Sequence, residues 1–254
     1  MELVKNMESR YSDYENLLLR RDALRKDGEQ YAREYIRIFG DLMNELFRKK
    51  IECIEKKKKI SYCQARVNKG MEINEYEMNS YIESTMADYY EQLEDMITET
   101  MISKQGLPIT VSEQRKIKEI YRYLAKKIHP DKRPDLEDDL YIKELWNEIV
   151  RAYTYNALGE LEELKFRVEM YLEDIDDDDV VIEFPDIEDR ISKVSEEIQI
   201  ILNTNPYQYR YILEDQIVIE HRKRELKDEI ENYRNYSKQL DEVLMQFKIV
   251  RMTA

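Results

Sequence analysis

Residues 117–128 of this 254-residue chain have the sequence IKEIYRYLAKKI. Their apolar side chains recur three and four positions apart, which is the spacing of one buried face on an α-helix. The helix ends before the loop sequence HPDK at residues 129–132, because proline lacks a backbone donor and fixes φ. Helical spacing of apolar residues resumes at position 142. The sequence therefore predicts an antiparallel helical hairpin with a short loop.

The opposite face of the first hairpin helix is basic. Residues 112–133 contain eight lysines or arginines and three acidic residues, a local charge of +5, whereas the whole chain carries −14. We therefore expect this face to be a binding surface.

The composition excludes most other fold classes. The chain has only five glycines, while 42% of its residues are apolar and 38% are charged. So few glycines argue against glycine-rich phosphate loops, doubly wound α/β enzymes and turn-dense β-sandwiches. The sequence predicts an all-α protein in which long helices with narrow apolar seams flank the hairpin.

The pattern along the chain divides into four consecutive segments. Within the first segment a helix is expected over about 11–60, with an interruption near residues 27–28. Within the second segment a helix is expected over 74–103. Ten acidic residues and no basic residue mark a self-repelling linker over 173–189. The predicted segments are an N-terminal helical or coiled-coil region at 1–72, a central helical region at 73–172 with its core at 110–158, the acidic linker at 173–189, and a C-terminal helical hairpin or coiled coil at 190–254.

The last helix repeats an apolar residue every seven positions. The companion positions of this seam are mixed, because Gln216, Lys223 and Ser237 alternate with Ile230 and Leu244. A parallel two-stranded zipper needs both positions mostly apolar. An antiparallel hairpin or a small bundle that includes the N-terminal helix is the better interpretation. Pairing within one chain and pairing in a homodimer both remain open.

Several function classes lack their characteristic residues. Two cysteines and two histidines, without metal-ligand spacing, predict no disulfide framework, no metal site and no cofactor. The absence of a nucleophile and base pattern predicts that the chain is not an enzyme. No apolar run is long enough for a membrane span, so a cytoplasmic protein is expected. The negative charge disfavours nucleic acid as the main partner. The alternative is nucleic-acid binding through the four-lysine run at 56–59 or through the basic stretch at 221–224.

The pattern IKxxYRxLAxKxHPDK resembles helix II and the loop of the J-domain, the signature of DnaJ-type co-chaperones. The resemblance covers residues 112–155, about a sixth of the chain. It implies docking on a DnaK-type chaperone ATPase and stimulation of ATP hydrolysis, with catalysis in the partner and a client still to be identified. In this family the aspartate of the loop engages an arginine of the ATPase. Carried over to this chain, the loop is His129, Pro130 and Asp131, and the docking face is Arg122, Lys126, Lys127 and Lys132.

The chain also departs from the family pattern. It lacks the Gly/Phe-rich linker, the CxxCxGxG zinc repeats and the usual helix I motif at normal spacing. Flanking helices would then select the client or the location. The helix over 74–103 is expected to replace helix I. In that arrangement Tyr89, Leu93 and Met96 would pack on Tyr121 and Leu124.

The rival interpretation is a coiled-coil scaffold with a degenerate, non-stimulating J-like hairpin. Long heptad helices are expected under both interpretations, so only the loop distinguishes them. An active loop should present Asp131 exposed at the tip of the hairpin. Burial of that carboxylate against its own chain would count against docking.

Overall fold

The structure, a computed structural model, describes residues 2–105, 110–136, 138–174 and 186–253. Within these ranges all regular structure is helical and no strand is present, which confirms the predicted all-α class. Two single 3-10 turns, Pro134–Leu136 and Tyr207–Tyr209, accompany the α-helices. The α-helices are α1 (Glu2–Asn68), α2 (Glu75–Gln105), α3 (Val111–Ile128), α4 (Leu140–Thr154), α5 (Leu158–Asp174), α6 (Ile187–Asn203), α7 (Arg210–Leu213) and α8 (Gln216–Thr253).

The chain divides into two compact units that do not follow the four consecutive segments expected from composition. Unit 1 combines Met1–Ala32 with Leu107–Arg210, and unit 2 combines Arg33–Gly106 with Tyr211–Ala254. Helix α1 therefore contributes one half to each unit, while α6 and α8 belong to different units. The acidic linker expected at 173–189 lies largely outside the described residues.

The core of unit 1 is formed by α3, α4 and α5. Helix α3 begins with the capping box that the sequence predicts: the Glu113 backbone N–H donates to Thr110 Oγ1 at 3.2 Å, and the Glu113 carboxylate accepts from the Thr110 N–H at 2.8 Å. Asp139 is the N-cap of α4, and its carboxylate accepts the backbone N–H groups of Tyr141 and Ile142. The fully buried members of this core are Ile117, Leu124, Ile128, Leu145, Ile149, Ala152, Leu161 and Val168.

The first half of α1 completes unit 1. Its Tyr14 and Leu18 are buried against Val194 and Ile198 of α6. Partly buried Leu19 packs on the α3–α5 core. The apolar side chains of this segment thus face two neighbours, α6 and the α3–α5 core.

Unit 2 is a three-helix bundle of the second half of α1 with α2 and α8. Helix α2 runs antiparallel to α1, because residues late in α2 contact residues early in this half of α1. Helix α8 runs parallel to α1, because its contacts advance in the same direction. The α1–α2 pairs are Asn44–Thr100, Glu55–Tyr90 and Tyr62–Glu77, and the α1–α8 pairs are Tyr35–Arg222, Glu45–Arg234 and Lys56–Asp241.

The bundle explains the half-polar seam of α8. Ser237 is buried, yet its hydroxyl donates to Glu52 and accepts from Lys56 Nζ at 2.7 Å. Ile219, Leu226 and Leu240 of the same seam are buried apolar residues. The interpretation of this region as a small bundle with the N-terminal helix agrees with these contacts.

Three expectations for the flanking helices are wrong. Helix α1 continues through residues 27–28 and ends at Asn68, so the four-lysine run at 56–59 lies inside the helix. Residues 214–215 separate α7 from α8, where one continuous helix was expected. Helix α2 does not replace helix I, because Leu93 is buried with Ile51, Ile82 and Met86 of unit 2, and α5 covers α3 instead.

Candidate functional site

The loop between α3 and α4 is held in one shape by hydrogen bonds to His129. Its carbonyl oxygen accepts from the backbone N–H groups of Lys132 at 2.8 Å and Arg133 at 2.9 Å. Its ring Nδ1 accepts the backbone N–H of Asp131 at 3.0 Å. Pro130 stands exposed between them. The loop is therefore closed around the histidine, with Pro130 on the outside.

His129 itself is buried, with 3% of its surface exposed. Its ring lies 4.7 Å from the ring of Trp146 on α4. Because Nδ1 accepts a hydrogen bond, the neutral ring carries its proton on Nε2. That atom lies 3.4 Å from the Asp22 carboxylate of α1, to which this tautomer can donate, and 3.4 Å from Arg21 Nη2. The histidine thus links the loop to the N-terminal helix.

Asp131 also contacts α1. Its carboxylate lies 3.0 Å from Arg21 Nη1, and its side chain keeps 41% of its exposure. The Tyr14 hydroxyl lies 3.5 Å from the Asp131 carbonyl oxygen. Asp131, expected to be exposed, is therefore half-exposed, and its carboxylate pairs with Arg21 of its own chain, a contact that counts against docking.

Arg21 and Asp22 form the centre of a charged network under the loop. Arg21 is buried and also approaches Asp22 and Glu197, each at 3.2 Å. Burial alone would raise the pKa of Asp22, but hydrogen bonds from His129 and Tyr121 and the charge of Arg21 hold that pKa below its ordinary value. Burial, and then the Asp22 carboxylate, raise the pKa of the Tyr121 hydroxyl. Asp22 is therefore held as an anion beneath the loop.

The basic face of α3 meets an acidic residue of the same α1 segment. Glu15 lies 3.3 Å from Lys132 Nζ and 3.5 Å from Lys126 Nζ. Burial lowers the pKa of Lys132 even though Glu15 opposes the shift. Arg122 and Lys126 are exposed and line a shallow groove beside Glu15.

The predicted site residues thus fall into two groups. His129 and Asp131 meet Arg21 and Asp22, while Lys126 and Lys132 share one acidic neighbour. The half-buried Lys127 contacts the loop through its backbone, because its carbonyl oxygen accepts a hydrogen bond from Arg133 Nη1 at 3.1 Å.

Sequence reasoning missed the α1 residues of this site. Glu15, Arg21 and Asp22 lie within seven positions of one another, a spacing that brings Glu15 and Asp22 to one helix face. Any amphipathic helix with a charged flank shows the same spacing, so the signal was not specific. Trp146 was also missed, although it is the only tryptophan of the sequence. It lines an open cleft of about 670 Å³ beside the loop.

Neither a metal centre nor a membrane span is found in the part of the chain that the structure describes. Its His, Cys, Asp and Glu side chains form no group of three suited to a metal ion. Each of its helices is either too short or too polar to cross a bilayer. No protein-family model, no curated protein and no solved structure matches the chain. The function must therefore be argued from the loop and its surroundings.

Proposed function

We propose that the chain is a co-chaperone of the J-domain type, which docks on a DnaK-type chaperone and stimulates its ATP hydrolysis. The observation that carries the proposal is the His-Pro-Asp loop, closed around His129 at the end of a basic helix. Catalysis belongs to the partner, and the chain itself needs no cofactor. The cytoplasm is the proposed compartment.

The geometry of the loop suits recognition by a preformed surface. Its backbone bonds to the His129 carbonyl and ring fix the direction of Asp131, while Pro130 holds φ and faces solvent. A loop with one conformation loses little entropy when a partner binds. A carboxylate in this position can form a charge-assisted hydrogen bond with a basic side chain of the partner.

The basic face supplies the second part of the proposed interface. Arg122 and Lys126 are exposed on α3, close to the loop. Positive charge clustered beside a recognition loop increases the rate of encounter with an acidic surface and orients it. The bundle of unit 2 would then select a client or a location. Its helices could also pair with those of a second copy of the chain to form a homodimer.

A second candidate is a helical scaffold in which the hairpin has only a structural role. The specific observation in its favour is that His129 and Asp131 both contact α1, through Asp22 and Arg21. Under this alternative the loop side chains stabilise unit 1 and meet no partner. Substitutions there would change the stability of the chain and leave ATP hydrolysis by the chaperone unaffected.

Single-turnover ATP hydrolysis by a DnaK-type chaperone separates the two candidates. The full chain is added at increasing concentration up to saturation, as wild type, His129→Gln and Asp131→Asn. Asp138→Asn is the matched control, because Asp138 is an exposed carboxylate that follows the same loop. We expect stimulation by the wild type and the control, and its loss in both loop variants. No stimulation by the wild type, or equal stimulation by all four chains, would overturn the proposal.

A further inference from the structure

We infer that residues 14–22 of α1, called here the α1 cover, act as an intramolecular competitor for the docking loop. The inference rests on the proposed function, since it concerns regulation of the same site. Its basis is geometric, because one helical segment contacts both parts of the proposed interface. A partner that binds the loop must therefore displace this segment or share space with it.

The charges of the α1 cover complement those of the interface at each contact. Arg21 opposes the acidic Asp131 at 3.0 Å. Glu15 opposes the basic Lys126 and Lys132, at 3.5 and 3.3 Å. A segment that places a cation opposite Asp131 and an anion opposite Lys126 and Lys132 has the charge pattern that a binding partner would need.

The contacts are also of a kind that can be exchanged. The Asp131 side chain is 41% exposed and that of Lys126 is 62% exposed, so water and competing charges reach these two partners, whereas the Arg21 side chain is only 9% exposed. The apolar core of α3, α4 and α5 consists mainly of side chains from those three helices. Displacement of the α1 cover therefore leaves most of the α3–α5 core in place, although it separates Tyr14 and Leu18 from Val194 and Ile198 of α6.

Competition within one chain has a defined kinetic signature. If the loop is accessible in only a fraction of molecules, the apparent affinity for the partner falls by that fraction. Saturating amounts of the chain still reach the full effect. The α1 cover should therefore raise the concentration needed for half-maximal stimulation and leave the maximal rate unchanged.

The test compares half-maximal concentrations in the single-turnover assay. Arg21→Gln removes the charge opposite Asp131, and Arg21→Lys retains it. Arg25→Gln is the matched control, because Arg25 pairs with Glu197 as Arg21 does and has its side chain largely in solvent. Glu15→Gln is a second, independent variant in case Arg21→Gln unfolds the chain, and circular dichroism checks the folding of each.

We expect Arg21→Gln and Glu15→Gln to lower the half-maximal concentration, with a shift of about fivefold or more for Arg21→Gln. Arg25→Gln should equal the wild type, and Arg21→Lys should lie between the wild type and Arg21→Gln. The gain must vanish in the double variant Arg21→Gln/His129→Gln. Persistence there would mean that an exposed segment stimulates the chaperone as a client does, which overturns the inference.

Failure of the inference and failure of the proposed function give different results. If wild type and both charge variants share one half-maximal concentration, and His129→Gln abolishes stimulation, the loop docks but the α1 cover does not compete. If neither wild type nor Arg21→Gln stimulates at any concentration, the co-chaperone function itself is wrong.

Discussion

The packing of unit 2 makes a sharp prediction for the substitution Gly40→Ala. A Cβ atom at position 40 of α1 would lie 2.6 Å from Thr100 Oγ1 and 2.8 Å from Thr100 Cγ2 on α2. Thr100 cannot move away easily, because it is buried, its side chain is branched at Cβ, and its hydroxyl donates to the Met96 carbonyl and accepts from Asn44.

The expected change in the free energy of unfolding combines one stabilising and two destabilising contributions. Alanine in a helix interior is favoured over glycine by about 1 kcal/mol. Forcing a methyl group into a filled site costs about 1–3 kcal/mol. Loss of the Asn44–Thr100 bond would leave a buried amide donor unpaired, at a further cost of about 1–3 kcal/mol. We expect Gly40→Ala to destabilise the chain by about 1–5 kcal/mol.

Urea unfolding followed by circular dichroism measures this effect, with two controls. The first control is Gly28→Ala. Residue 28 lies in the same helix, but a Cβ atom there would lie 3.4 Å from Pro206 Cγ, an ordinary van der Waals contact. That variant should be neutral or stabilised by up to about 1 kcal/mol. In a Thr100→Ala background the clash is largely removed, so Gly40→Ala should become neutral or stabilising there. Gly40→Ala as stable as Gly28→Ala would refute the packing of α1 on α2.

Three further substitutions test unit 1. Asp22→Asn should lower the free energy of unfolding at pH 7 by about 1–2 kcal/mol. The pKa of Asp22 is depressed in the folded chain, so the wild type loses its extra stability over Asp22→Asn as the pH falls below about 4. The urea midpoints of the two chains should therefore differ at neutral pH and converge in acid. Leu124→Ala should destabilise by about 2–5 kcal/mol because it opens a cavity in a fully buried site, whereas the exposed Val111→Ala should change the melting temperature little. Thr110→Ala should cost about 1 kcal/mol through loss of the capping box, and an unchanged melting temperature would contradict that role.

Local signals in the sequence were sufficient for the helices around the loop. The apolar spacing from Ile117 to Ile128 predicts α3 and its buried face, and the pair Thr110 and Glu113 predicts where it begins. Pro130 predicts where it stops. Each of these features depends on residues within one or two helical turns, which a single sequence records directly.

The partners of each helix could not be predicted in the same way. The apolar face of α2 that contains Leu93 fits any apolar neighbour equally well, and the structure pairs it with Ile51 of α1. The contact between Arg21 and Asp131 joins charged residues 110 positions apart. Such pairs leave no periodic pattern, so the α1 cover became visible only in three dimensions.

The loop of residues 129–131 is proposed to bind a DnaK-type chaperone. Calorimetric titration of an ATP-bound, hydrolysis-deficient chaperone measures this binding, with the full chain carrying Arg21→Gln alone or together with Asp131→Asn. We predict saturable binding of the single variant and affinity weaker by about tenfold or more for the double variant, because a charge-assisted contact is lost. Absence of binding by the single variant, or equal affinity of the two chains, would contradict the claim.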